Sequence, residues 1–133
     1  MSYYYEFEDR YQILLTVAYG SMGENEFREL YFDMCARKDE ERALTGILDL
    51  IGVTTLNIDS QLIRELASHP PTFSDPALRA VVAPTDLLFG MSRMFQMLGS
   101  ETREELHVVR TLHEALTLLN AKEARFHRLV AAA

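Results

Sequence analysis

At 133 residues the chain falls just short of the ~150 that an average domain uses, so it is read as one core with no room for a second. Its 48% hydrophobic and 25% charged residues are those of an ordinary globular protein and exclude disordered, collagen-like and low-complexity classes. Thirteen basic against 20 acidic residues give a net charge of −7, which gains nothing from a phosphate backbone or an anionic bilayer surface, so neither nucleic acid binding nor membrane insertion is expected.

Residues 3–7 and 11–18 are rich in aromatic and β-branched side chains and are separated by Glu8, Asp9 and Arg10, which predicts an opening antiparallel pair joined by a short charged connection. Gly20, Ser21, Met22 and Gly23 break the pattern and read as a plain turn. Phe27, Leu30, Tyr31 and Met34 then recur at helical spacing, with Glu24, Glu26 and Glu29 favourable to the dipole of a helix over 24–37. The charged run 37–42 reads as a solvated connection, and 43–50 as an apolar strand with Asp49 near its end. Asp59 or Ser60 caps a second helix over 60–68, whose Leu62, Ile63, Leu66 and Ala67 share a face and which His69, Pro70 and Pro71 end.

After a loop at 73–76, residues 78–83 form a β-branched strand. Pro84, Thr85 and Asp86 start a third helix with Gly99 as its stop. Residues 106–110 read as the last strand, and Leu112, Leu116 and Leu119 begin a fourth helix that extends toward Phe126 and Leu129. The order β-β-α-β-α-β-α-β-α implies a single α/β domain, a mixed five-stranded sheet with parallel crossovers covered by about four helices. Residues 1–120 form that domain, and 121–133 are expected as a helical extension or a frayed tail.

The chemistry-bearing residue types are few and scattered. The tetrad at 20–23 lies where phosphate-cradling loops occur, yet no Lys-Ser or Lys-Thr follows, the glutamates beyond it repel anions, and Tyr19 rather than Gly precedes Ser21 by two. His69, His107, His113 and His127 form no i, i+4 pair and have no Cys-x-x-Cys companion, so they are read as surface histidines, with no metal and no cofactor expected. Cys35, between Met34 and Ala36 on a helix, reads as a small buried hydrophobe. A lone cysteine, and a start without a basic and apolar leader pattern, lead to the expectation of a cytoplasmic protein. The longest apolar runs, 13–18 and 81–83, fall far short of the ~20 residues of a spanning helix. No catalytic constellation emerges.

Asp49 either faces a crevice at the carboxyl end of its strand or bonds backbone amides of a turn at 51–55, the second reading being preferred. On the third helix, Leu87, Leu88, Met91, Met94, Phe95 and Leu98 suffice for a buried stripe, while Phe89 and Met97 fall on another side, eight residues apart. Phe89, Met97 and with them Met91 are therefore candidates for a homodimer or partner contact, since methionine-rich surfaces adapt to partners.

The strand at 78–83, Pro84-Thr85-Asp86, and the run Leu87, Leu88, Phe89, Gly90, Met91, Ser92, Arg93, Met94, Phe95, Gln96 together resemble the SpoIIAA-like, or STAS/SEC14-like, family of small bacterial proteins. The segment 112–119 and the Ile-Leu-Asp-Leu strand at 47–50 fit the same family, so the likeness spans roughly residues 3–119. It implies a STAS-like mixed sheet with no enzymatic activity. It also points to a regulatory edge at Asp49, Asp59, Ser60, Thr85 and Asp86. In the wider STAS group a phosphorylatable serine follows an aspartate near the place of Asp59 and Ser60, although the residues after Ser60 depart from that motif. The expectation is a non-enzymatic module acting as a homodimer or with a protein partner. The alternative is a domain binding a small apolar molecule or lipid between helices and sheet.

Overall fold

A computed structural model describes residues 3–69, 79–98 and 105–130. Ten elements follow one another: β1 (Tyr3–Glu8), β2 (Ile13–Gly23), α1 (Glu24–Glu41), β3 (Thr45–Asn57), α2 (Ser60–Ala67), β4 (Arg79–Val82), α3 (Asp86–Leu98), β5 (Leu106–Val109), α4 (Leu112–Leu118) and β6 (His127–Arg128). They form one mixed six-stranded sheet in the order β5-β4-β3-β2-β1-β6. The pairs from β2 to β5 are parallel, whereas β1 runs antiparallel to both β2 and β6. The α/β class and the predicted order of the first nine elements hold, and the sixth strand is an addition.

Period-two alternation on the inner strands divides the core into two layers. Ile13, Leu15, Ile47, Ala80 and Val82 point to one face and pack against Ala115 of α4. Leu14, Ala18, Leu50 and Val81 point to the other, where Leu30 of α1 and Leu88 of α3 close over them. A third cluster, Tyr31 with Leu62 and Leu66, joins α1 to α2 above that same face. Arg28 of α1 reinforces the joint with a two-point ion pair to Glu65 of α2, at 2.7 and 3.2 Å.

The connections explain where each helix begins and ends. Glu8, the last residue of β1, is buried rather than part of a solvated connection, because its carboxylate accepts hydrogen bonds from the amides of Arg10 and Tyr11 in the β1–β2 turn. Glu26 reaches back to accept from the amide of Gly23 at the start of α1. Asp59, Thr85 and Thr111 cap α2, α3 and α4 by accepting from the amides of Leu62, Leu88 and Glu114.

Four expectations are corrected. The tetrad Gly20, Ser21, Met22, Gly23 is the end of β2 and not a turn: Met22 is fully buried in the core, and Gly20 takes the positive φ of 78° that lets the strand bend there. The run 37–42 is the last turn of α1, which stops only where Arg42 adopts a left-handed conformation (φ 56°), and Arg37 is buried. The segment 51–55 continues β3. Val17 pairs with Asp49 but Tyr19 with Gly52, so one residue of β2, Ala18, faces two of β3, Leu50 and Ile51, a bulge that breaks the strand period. Gly52 belongs at that bulge, since a Cβ there would lie 2.9 Å from Tyr19 Cβ. The expected loop at 73–76, Leu78 and the Gly99 stop lie outside the described residues.

The fourth correction concerns the tail. Asn120 takes a left-handed conformation (φ 55°) and ends α4, so no helical extension follows. Residues 121–130 turn back over the sheet, with Ala121 fully buried and β6 added to the edge of β1. The Leu129 amide donates to the Tyr5 carbonyl at 3.0 Å, the Arg37 guanidinium donates to the Val130 carbonyl, and Arg128 lies 3.7 Å over the Tyr4 ring. The strap covers the backbone groups that an edge strand would otherwise present to another chain. Beneath it the Tyr5 hydroxyl donates to Asp33 at 2.6 Å, and burial together with that bond raises its pKa.

Candidate functional site

The face covered by three helices does not close. Between sheet and helices lies a cavity of about 110 Å³. Leu14 and Thr16 of β2, Gly46, Leu48 and Leu50 of β3, and Arg79 and Val81 of β4 form its floor. Phe27, Tyr31 and Met34 of α1, Ile63 and Leu66 of α2, and Leu88, Met91, Ser92 and Phe95 of α3 form its roof. Leu56 and Ile58, carried there by the extension of β3 beyond the bulge, complete one end.

The register shows why space remains. Leu14 lies opposite Gly46, and the pairing of Ile47 with Ala80 sets Arg79 beside Gly46 on the other side. A glycine therefore occupies the middle of the floor where both flanking strands present long side chains, and a glycine in a strand interior often marks close approach of another group. One level further along, Thr16, Leu48 and Val81 align across the three strands. Thr16 and Arg79 are both buried, at 0% and 5% exposure, and the lining is apolar apart from these two, Tyr31 and Ser92.

The residues expected as a regulatory edge are not gathered into one site. Asp49 is buried on the opposite, α4-facing side of the sheet, because it shares its strand face with Ile47. Its Oδ1 accepts from the Ile51 amide at 2.8 Å, so it serves the backbone as expected, at a bulge and not in a turn. Burial raises the pKa of its carboxyl, and the bond from Ile51 opposes that shift. Asp59 and Ser60 are exposed at the start of α2; the eight steps from Asp49 to Asn57 carry the strand up to roughly 26 Å away at ~3.3 Å each. Thr85 caps α3, and Asp86 is solvent-exposed in a 3.0 Å ion pair with Arg110.

The three candidates for an interface also separate. Phe89 packs against the core with the Arg110 guanidinium 4.1 Å over its ring, Met91 lines the cavity, and only Met97 is exposed, in company with Leu87 and Leu98. His113 and His127 are exposed as expected, whereas His69 and His107 are half-buried, and so is Cys35. Among the described residues, no group of three His, Cys, Asp or Glu side chains could hold a metal ion, and no helix is long and apolar enough to cross a membrane.

Sequence reasoning missed Thr16, Gly46 and Arg79. The available signals were a hydroxyl in the apolar run 13–18, a glycine just inside the strand that begins at Thr45, and a charge at the head of a β-branched strand. No family model matches the chain, and no curated protein matches it.

Proposed function

We propose that this chain is a non-enzymatic, cytoplasmic α/β domain of STAS-like architecture that holds a small apolar molecule between its sheet and helices. The single observation that carries the reading is the cavity of about 110 Å³, walled largely by leucine, isoleucine, phenylalanine and methionine. Protein interiors rarely leave voids larger than a water molecule, and apolar cavities near 150 Å³ take up benzene or xenon. Met34 and Met91 give the wall room to adjust to an occupant. The STAS-like assignment rests on the order of the first nine elements and on the sequence likeness around α3.

Methyl spectra recorded under xenon pressure test this function. Xenon is expected to shift the methyl signals of Leu14, Leu48, Leu66 and Leu88 while leaving those of Leu15 and Leu116 on the α4 side in place. Ser92→Leu, which fills the cavity from the roof, should abolish the response. Shifts of equal size on both faces, or none in the wild-type protein, would refute the function.

The exposed Leu87, Met97 and Leu98 favour a second reading, in which α3 makes the contact of a homodimer or protein partner. Sedimentation of the wild-type protein and of Met97→Lys separates the two readings, because only the contact reading expects a mass that the substitution lowers.

A further inference from the structure

Thr16 carries the one hydroxyl on the cavity floor, and the fold makes no use of it. The residue is fully buried, and its Oγ1 has no hydrogen-bond partner among the described residues. Its neighbours on the same strand face, Leu14 and Ala18, are apolar and buried. A valine would fill the same volume and suit a strand equally well, while a buried hydroxyl without a partner weakens a fold. Packing alone therefore gives no reason for oxygen at this position.

We infer that the ligand of this cavity is a small, uncharged, largely apolar molecule bearing one hydrogen-bonding oxygen, which Thr16 Oγ1 engages. This rests on the ligand-binding reading above and narrows it to a chemical class. An ionised ligand is disfavoured: it would lose its water among Leu48, Leu66, Phe95 and Met34. The charged residue of the wall, Arg79, has an interaction of its own within the fold. A hydroxyl can donate to a carbonyl or accept from an alcohol, so phenols, short alcohols and ketones share the required chemistry. A buried hydroxyl disfavours the analogue that leaves it unpaired, and this gives the cavity selectivity among molecules of similar shape.

The test compares phenol with toluene, which have the same ring and similar size, by titration into the wild-type protein, Thr16→Val and Thr16→Ser. Loss of one hydrogen bond corresponds to about a tenfold change, so the ratio of the phenol to the toluene dissociation constant is expected to rise about tenfold in Thr16→Val. Toluene binding should persist in that variant, and Thr16→Ser, which keeps the hydroxyl, should hold the ratio near wild type. An unchanged ratio in Thr16→Val, with both probes bound, overturns the role of Thr16 and leaves the cavity as a binding site. If Thr16→Val does not fold, Thr16→Ala removes the hydroxyl in its place, and an unchanged ratio there would equally overturn it. Binding of neither probe by the wild-type protein refutes this inference together with the ligand-binding reading.

Discussion

Asp49 offers the sharpest test of the packing described here, because burial and hydrogen bonding act on it in opposite directions. Its carboxyl is 8% exposed, and its one defined bond is accepted from the Ile51 amide at the bulge. Burial is the larger influence and raises the pKa in the folded state. Between the unfolded pKa and this raised folded pKa the native state binds more protons than the unfolded chain. The contribution of Asp49 to stability is therefore greatest below its unfolded pKa and is lost as pH rises through the folded value. Asp49→Asn keeps an acceptor for Ile51 and removes the charge, so it should be more stable than wild type at neutral pH, with the gap closing on acidification. Asp49→Ala removes the acceptor too, leaving the Ile51 amide unpaired, and should be less stable than Asp49→Asn by about 1–3 kcal/mol. With an unfolding entropy of roughly 2.1 cal/mol/K per residue over 133 residues, that difference is about 4–11 °C in Tm. Thermal unfolding of the three proteins from pH 3.5 to 7.5 provides the measurement. A wild-type protein more stable than Asp49→Asn at neutral pH, or a gap independent of pH, would refute the burial argument. Equal stability of the Asn and Ala variants would show that the Ile51 bond contributes nothing.

Two further outcomes are expected. Arg42 holds a left-handed conformation at the end of α1 without the glycine that usually occupies such a position, so Arg42→Gly should stabilise the protein by about 1 kcal/mol, or about 3–4 °C in Tm; calorimetry showing no rise would mean that the Arg42 side chain compensates the strain. Arg37→Met removes the guanidinium that lies over the Tyr5 ring and with it the donor to the Val130 carbonyl, and a hydrogen bond to a charged group is worth about 1.5–3 kcal/mol, so exchange of the Leu129 amide should accelerate roughly 10- to 100-fold. Unchanged Leu129 exchange would show that the strap is held by β6 pairing alone.

The sequence conveyed the elements whose signals are local. Asp59, Thr85 and Thr111 cap helices by bonds within three residues, and each helix start follows from them. Less legible were features set by what lies across the sheet. Strand β3 looks finished at Leu50 because Ile51 and Gly52 break the alternation, yet the bulge opposite Ala18 restores it, and Val53 returns to the core that Leu50 had entered. Met22 reads as part of a glycine-flanked turn until the fold buries it. Leu129 and Val130 look like a helical continuation, but the carbonyl of Tyr5 and the guanidinium of Arg37, both distant in sequence, set their conformation. The cavity was legible only as a possibility, since six methionines suggest adaptable space without saying where it lies.

The position of the cavity follows from an asymmetry between the two faces of the sheet. On the α4 face the close approach is made by small side chains, Ala80 of the sheet against Ala115 and Ala121, and larger residues around them fill the margins. Small side chains let backbones come near one another there. On the opposite face the small residue is Gly46, at the centre of the floor, but the residues above it are large. Phe95 meets the Tyr31 ring edge to face, and Phe27 and Ile58 pack against the same cluster in the roof. Gly46 and, on the neighbouring strand, the buried Thr16 hydroxyl are the features of this face that the proposed ligand would meet.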